Sequence, residues 1–476
     1  MIDSQSPLWY FPIHVFLGAS REPLISRDAV SALTRVGLDV STAQETENLK
    51  MTTASNSSVL STRDVRRTVL DNGLVVLTRE SHRSPTVNSM IWYGVGSSDE
   101  VAGHTGSSHF LEHMLFKGTA RYGKGVIDLV TMRNGGSNNA FTSYDFTAYY
   151  FSFASDRWET AIDIESDRMI HTIFDPAEFE AEKSVVIEEL KSGLDQPWGK
   201  LMQELSKTAF ERHSYRNPVI GWLSDVEAAT PSAMEAHYRK YYHPANATLV
   251  LVGDFETGHA LDLVKGAFGQ IPAGESQPRQ TLQEPEQNGE KRLDVRWRSE
   301  VPRMAIAYHT PAIGHPDSYA LQVLSVALAE GKASRFYQRL VEREGSTTFM
   351  SAEYGESRDP TLFYIRGEGC GDGPPEAIEA SVHDELSRIA TDGINADELE
   401  RAKHQIEAHF VFSLERTLDQ AMLFGQIETL AELKYIDQYL SHIAAVDTAA
   451  VAEVCRRYLC ESNRTVAWLL PEEAGP

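Results

Sequence analysis

The chain has 476 residues, 42% of them hydrophobic and 24% charged, an ordinary globular composition that excludes wholesale disorder and a length that exceeds what one hydrophobic core usually organises. Its formal net charge of -24 argues against a nucleic-acid partner, because Lys and Arg occur singly or in pairs such as Arg66-Arg67 and Arg456-Arg457 and form no basic patch. No run approaches the roughly 18 apolar residues that span a bilayer, so no membrane partner is expected.

In chain order, the apolar run from Leu8 to Leu17 has no basic segment before it, carries Asp3 instead, and is interrupted by Pro12 and His14, so a signal peptide is not indicated. Residues 1–63 read as a flexible extension, Ser- and Thr-rich over 52–62, with Met51 as an alternative start. The expected compartment is the cytoplasm, with a periplasmic or organellar one left open. Val65 to Leu70, the turn Asp71-Asn72-Gly73, and Leu74 to Leu77 predict a hairpin. A strand near Val87 to Gly94 then leads through a Gly- and Ser-containing loop into a helix from about Ser107 to Phe116, ended by Gly118. Helical pattern recurs at Val126 to Met132, and strand composition at Ala140 to Phe153. Two helices follow: Trp158 to Ile173, and one opened by Asp175 as N-cap with Pro176 at its first position, running to about Lys191.

The Gly-, Pro-, Gln- and Glu-rich stretch 273–292 reads as a linker between a first half, 64–272, and a second, 293–476. The halves look like a degenerate repeat. Tyr242 to Val250 closes the first as Tyr458 to Val466 closes the second, and the strand-loop-helix at 87–118 has a counterpart over 302–331, where Ala, Val and Leu replace the polar residues of the helix face. The fold class expected is α+β, each half a mostly antiparallel sheet with helices packed on one side. Cys370, Cys455 and Cys460 lack C-x-x-C spacing and read as packing residues.

The chemistry concentrates in His109-Phe110-Leu111-Glu112-His113. On a helix the two imidazoles stand one turn apart on one face, a spacing that grips a single metal ion and suits Zn2+. Glu112 lies beside that face, placed to take a proton from water activated by the ion and return it to a leaving amine. Two histidines and a carboxylate amid Phe110, Leu111, Met114, Leu115 and Phe116 would be costly to bury without a partner, which favours the metal reading over an ordinary surface helix. A hydrolytic zinc site takes three protein ligands and keeps one open position, so a third ligand must come from elsewhere. The helix after Asp175 offers Glu182 and Glu189, seven apart on one face; spacing alone leaves Glu188 open beside Glu189.

The run His109 to Thr119 resembles the pitrilysin, insulysin and mitochondrial processing peptidase family, the inverzincins. Asn139-Ala140-Phe141-Thr142 and the stretch Glu182 to Glu189 match it too, and 76 positions separate His113 from Glu189, as the family pattern requires. The resemblance covers residues 65–470, strongly in the first half. It implies a clamshell half and a zinc peptidase acting on extended, unfolded peptides. It further implies that Glu189 is the third ligand and that Glu182 is an acid supporting the site. Asn139 and Ala140 would lie on an edge strand that presents backbone to substrate, and Phe116 in a side-chain pocket; ordinary turn and core roles remain open for Asn139 and Phe116.

Complete enzymes of this family carry in their second half an Arg and, seven residues on, a Tyr, and alignment on Leu340 and Gly345 puts Val341 and Thr348 at those places. Arg339, Arg343 and Tyr354 lie nearby but out of phase. The chain therefore resembles the metal-bearing member of a two-subunit peptidase whose homologous partner supplies the Arg/Tyr pair, a heterodimer being favoured over a homodimer. The alternative is a structural subunit of core-protein type, without proteolytic activity.

Overall fold

The computed structural model describes residues 62–275, 279, 282–370 and 373–472. Residues 1–61 of the extension expected over 1–63, Met51 included, lie outside them, as does part of the 273–292 stretch; Thr62 opens a 3-10 turn, Thr62–Asp64. Among the described residues no helix is long and apolar enough to cross a membrane.

Eleven strands form two sheets among the described residues. The first half supplies β1 (Arg66–Val69), β2 (Val75–Glu80), β3 (Thr86–Tyr93), β4 (Ser137–Thr142), β5 (Thr147–Ala154) and β6 (Ala247–Gly253); the second supplies β7 (Lys291–Trp297), β8 (Arg303–Thr310), β9 (Thr347–Tyr354), β10 (Thr361–Gly369) and β11 (Arg464–Pro471). The expected hairpin forms: β1 pairs antiparallel with β2, and the turn between them needs Gly73, whose φ is +89°. Asn72 pins that turn, donating to the carbonyls of Phe268 and Ile271 at 2.8 and 3.0 Å.

The strand orders are β1-β2-β6-β3-β5-β4 and β7-β11-β8-β10-β9. Apart from β1 they are the same topology, each sheet having one parallel pair (β2 with β6, β7 with β11) among antiparallel ones. The internal repeat inferred from the two closing segments thus extends strand by strand, and in each sheet the third strand of the repeat, β4 or β9, ends at an edge.

The helices differ from expectation in one respect: they cover both faces of each sheet, and one layer on each is exchanged between halves. The helix Pro197–Ala209 buries Leu201, Leu205 and Ala209 against Ala305 and Ala307 of β8, Leu362 and Tyr364 of β10, and Ala467 and Leu469 of β11. Reciprocally, Thr417–Leu430 from the second half packs on β3 and β6 of the first. That helix is buried almost throughout, its polar Asp419, Gln420 and Gln426 included. Leu77, Met90, Trp92, Val250 and Val252 of the first sheet therefore share one apolar cluster with the second half.

Candidate metal centre

The site forms where two helices meet. Ser107–Met114 begins after Gly106, φ +84°, and its first amides are held by the buried Glu100 carboxyl, which accepts from Gly106 N at 2.7 Å and Ser108 N at 2.6 Å. The carboxyl oxygens satisfy two of the unpaired amides of the helix start, while burial raises the group to about 8. The second helix, Pro176–Asp195, starts as its sequence predicts: Asp175 Oδ1 accepts from Ala177 N and Glu178 N at 2.9 and 3.0 Å, and Pro176 occupies the first turn. The apolar faces lock the pair together. Phe110 lies 4.6 Å from Phe179 between ring centroids, and Leu111, Met114, Val186 and Leu190 are buried in the same cluster.

That packing turns the polar faces toward each other. Glu189 Oε1 stands 3.8 Å from His109 Nε2 and Glu189 Oε2 3.4 Å from His113 Nε2, and the three residues offer ligand atoms all within 4.8 Å of one another. Tetrahedral zinc with bonds of about 2.0–2.2 Å sets its ligand atoms about 3.3 Å apart, so two nitrogens and one oxygen so placed suit that ion with little adjustment. Among the described residues no other group of three or more such side chains is so arranged. Glu188, left open by spacing, points away and pairs with Lys191 at 3.0 Å.

Glu182 stands behind the cluster. Its Oε1 lies 2.9 Å from His113 Nδ1, and its Oε2 is ion-paired with Lys117. A carboxylate on Nδ1 fixes the proton there and leaves Nε2 as the donor atom. Glu112 accepts a 2.6 Å hydrogen bond from Thr142 Oγ1, which reaches over from β4.

The two imidazoles titrate in opposite directions. Burial, with His113 beside it, pushes His109 down to about 4. Burial opposes charge on His113 as well, but the carboxylates of Glu182 and Glu189 on its two ring nitrogens outweigh it and raise the group to about 10. Burial lifts Glu112 to about 7 against the pull of His113 and Thr142, the range in which a carboxyl both takes and returns a proton near neutral pH.

Asn139 is exposed on the edge strand β4, with its Oδ1 accepting from Ala140 N at 2.9 Å, and Ala140 is buried. Phe116 is half-buried, with the Arg168 guanidinium 5.4 Å from its ring. In the second half, Val341 lies in the π-helical turn Tyr337–Arg343 and Thr348 is exposed on β9. Of the three out-of-phase residues two are otherwise engaged, while Arg343 is exposed at the end of that turn. Arg339 is paired with Glu344, Asp384 and Glu385, and the fully buried Tyr354 donates to the Pro311 carbonyl at 2.8 Å. Two residues of the site were not singled out from sequence, Thr142 and Lys117. For Thr142 the signal was available, since it is two residues on from Ala140 and shares its face of the strand.

A family model described as Insulinase (Peptidase family M16) matches residues 75–222, and one described as Peptidase M16 inactive domain matches residues 228–406. The chain is 30% identical over 383 residues to the "Uncharacterized zinc protease YmxG" of Bacillus subtilis (strain 168), covering 79% of this chain and 92% of that one. The crystal structure of a protease from Helicobacter pylori superposes with a TM-score of 0.82 at 27% identity, over 86% of this chain and 99% of the other. The periplasmic protease PqqL from Escherichia coli shares the fold at a TM-score of 0.71 and 19% identity, but the match takes up 86% of this chain and only 48% of that longer one.

Proposed function

The chain belongs to the M16 peptidase family, and from that premise we propose that it is the zinc-bearing subunit of a metallopeptidase that hydrolyses extended, unfolded peptides. In this reading 64–272 is the catalytic half, 273–292 the linker and 293–476 the degenerate half. The observation that carries the proposal is the three-donor cluster of His109, His113 and Glu189 with the Glu112 carboxyl beside it. A scaffold has no physical need of that arrangement.

His109, His113 and Glu189 hold the ion, and Glu182 keeps His113 oriented. Zinc there supplies a Lewis acid for the scissile carbonyl and acidifies a water molecule. Glu112, held by Thr142 and raised toward neutrality, takes the proton of the attacking water and delivers it to the departing amine. The substrate adds as a strand along β4 near Asn139 and Ala140, where main-chain hydrogen bonds hold it largely irrespective of sequence, and Phe116 lines a side-chain pocket.

The absence of a usable Arg/Tyr pair at Val341 and Thr348, with Arg339 and Tyr354 committed elsewhere, supports a requirement for a homologous partner subunit. The PqqL chain, about half of which is matched by this one, supports the idea that such units work in pairs. The test is a preparation of the native assembly with metal quantified and an unstructured peptide as substrate. Glu112→Gln is expected to keep its zinc and lose about 10²–10⁴-fold in turnover. A wild-type chain that takes up no zinc, or a Glu112→Gln variant as active as wild type, ends the proposal. Fast cleavage by the isolated chain removes the partner from it.

A further inference from the structure

We propose that Lys117 is a positioning residue of this centre: acting through Glu182, it holds the His113 ring so that Nε2 faces the ion. The inference rests on the metal reading above and deepens it.

The linkage is continuous. Lys117 Nζ is paired with Glu182 Oε2, and the other oxygen of the same carboxylate sits 2.9 Å from His113 Nδ1. Both ends are sheltered, the side chains of Lys117 and Glu182 being 22% and 10% exposed, so this pair is screened less than a surface pair of the same geometry. A carboxylate held only by an imidazole can swing about its last torsion, which is broad. One held on its two oxygens by two groups, His113 and Lys117, is fixed in that torsion, and the ring it supports inherits that rigidity.

The backbone also fixes where Lys117 stands. Its amide donates to the Met114 carbonyl at 3.0 Å, so it continues directly from the helix that carries His113. The next residue, Gly118, has φ +106°, and a Cβ there would lie 2.2 Å from the Tyr122 carbonyl oxygen. The turn beyond is tied by Thr119 Oγ1, which accepts from Arg121 N and Tyr122 N at 3.2 and 2.9 Å. Charge points the same way. The Lys117 ammonium balances the Glu182 carboxylate, one positive charge against one negative in a sheltered pair. A sheltered site holding a residual charge would be costly.

The experiment measures zinc affinity by chelator competition, and the visible absorption of the Co2+-substituted protein, on the full chain. Lys117→Met, with folding checked by circular dichroism, is expected to bind zinc about 10- to 100-fold more weakly and to shift the cobalt bands, while Lys117→Arg retains most of the affinity. Lys117→Gln replaces Lys117→Met should that variant fail to fold. In a Glu182→Gln background the Lys117→Met effect is expected to vanish, since the route through Glu182 is already cut. Zinc affinity of Lys117→Met within twofold of wild type with an unshifted cobalt spectrum overturns the proposal, as does an equal loss in the Glu182→Gln background. A wild-type chain that takes up neither zinc nor cobalt overturns the metal reading itself, an outcome distinct from either.

Discussion

The two halves repeat one topology, yet the helix that follows the second strand of the repeat, β3 in one and β8 in the other, has opposite surroundings. Ser107–Met114 buries Phe110, Leu111 and Met114, turns His109 and His113 toward Glu189 of a second helix, and sets Glu112 against Thr142 of β4. Its counterpart Pro316–Ala329 is longer and buried from Ser318 through Leu328, enclosed by Ala396–Phe412, Lys434–Ala445 and Thr448–Tyr458. The second half encloses this helix in packed side chains, where the first leaves His109 and His113 facing Glu189. A repeat need not preserve a site to preserve a fold: strand order is set by pairing and core patterning, while the site depends on a few polar residues on one helix face.

The sharpest way to break that contrast is to damage each helix and see what is lost. Leu324→Ala, at a position with no exposed surface, is expected to cost about 2–5 kcal/mol of stability in denaturant unfolding, from lost burial and the cavity left behind. His113→Ala is expected to abolish zinc binding while leaving the unfolding midpoint of the metal-free protein nearly unchanged. Were Leu324→Ala harmless, or His113→Ala to unfold the chain, the assignment of one helix to packing and the other to chemistry would be reversed.

The polar exception inside the packed half gives a second, pH-dependent test. Glu356 is buried among Tyr319, Tyr354, Tyr435, Tyr439 and Gln322, accepting from Tyr435 at 3.0 Å and from Gln322. Burial raises its carboxyl from 4.5 to about 7, the two hydrogen bonds opposing. With the folded value above the unfolded one, the folded state holds the proton more tightly. Stability from this group is present below about 4.5 and is lost as pH climbs to about 7. Glu356→Gln removes that dependence. Thermal melts at pH 5 and pH 8 are expected to show the variant gaining on wild type at the higher pH by on the order of 2 kcal/mol. A constant difference between the two proteins would show that Glu356 does not titrate in this range.

Much of the first half was legible because its signals are local. The Asp71-Asn72-Gly73 turn, the Asp175-Pro176 helix start and the His109-to-His113 spacing each act within a few residues, and the corresponding elements form. Spacing alone left Glu188 open beside Glu189, and the resemblance pointed to Glu189; the packing of Phe110 on Phe179 and its neighbours is what turns Glu189 toward the histidines. Lys117 was silent for a related reason: nothing near it in the chain announces a partner 65 positions away, and a lone lysine after a helix reads as solvated. The exchanged helices were hidden differently. Thr417–Leu430 mixes apolar residues with Asp419, Gln420 and Gln426, so its sequence announces neither its near-complete burial nor the sheet it packs on.

That exchange ties the contrasting halves together, and Gly425 tests how tightly. A Cβ built on it would lie 2.0 Å from Trp92 Nε1, on a helix of the second half pressed against β3 of the first. Gly425→Ala is expected to destabilise through overpacking by about 1–3 kcal/mol, partly offset by the roughly 1 kcal/mol that Ala gains over Gly within a helix. Because Trp92 belongs to the apolar cluster shared by both halves, the loss is expected to lower one common unfolding transition, followed by intrinsic fluorescence and circular dichroism together. Two separated transitions in the variant would mean that the halves fold as independent units merely laid side by side, and that the site-bearing half does not depend on the packed one for its back face.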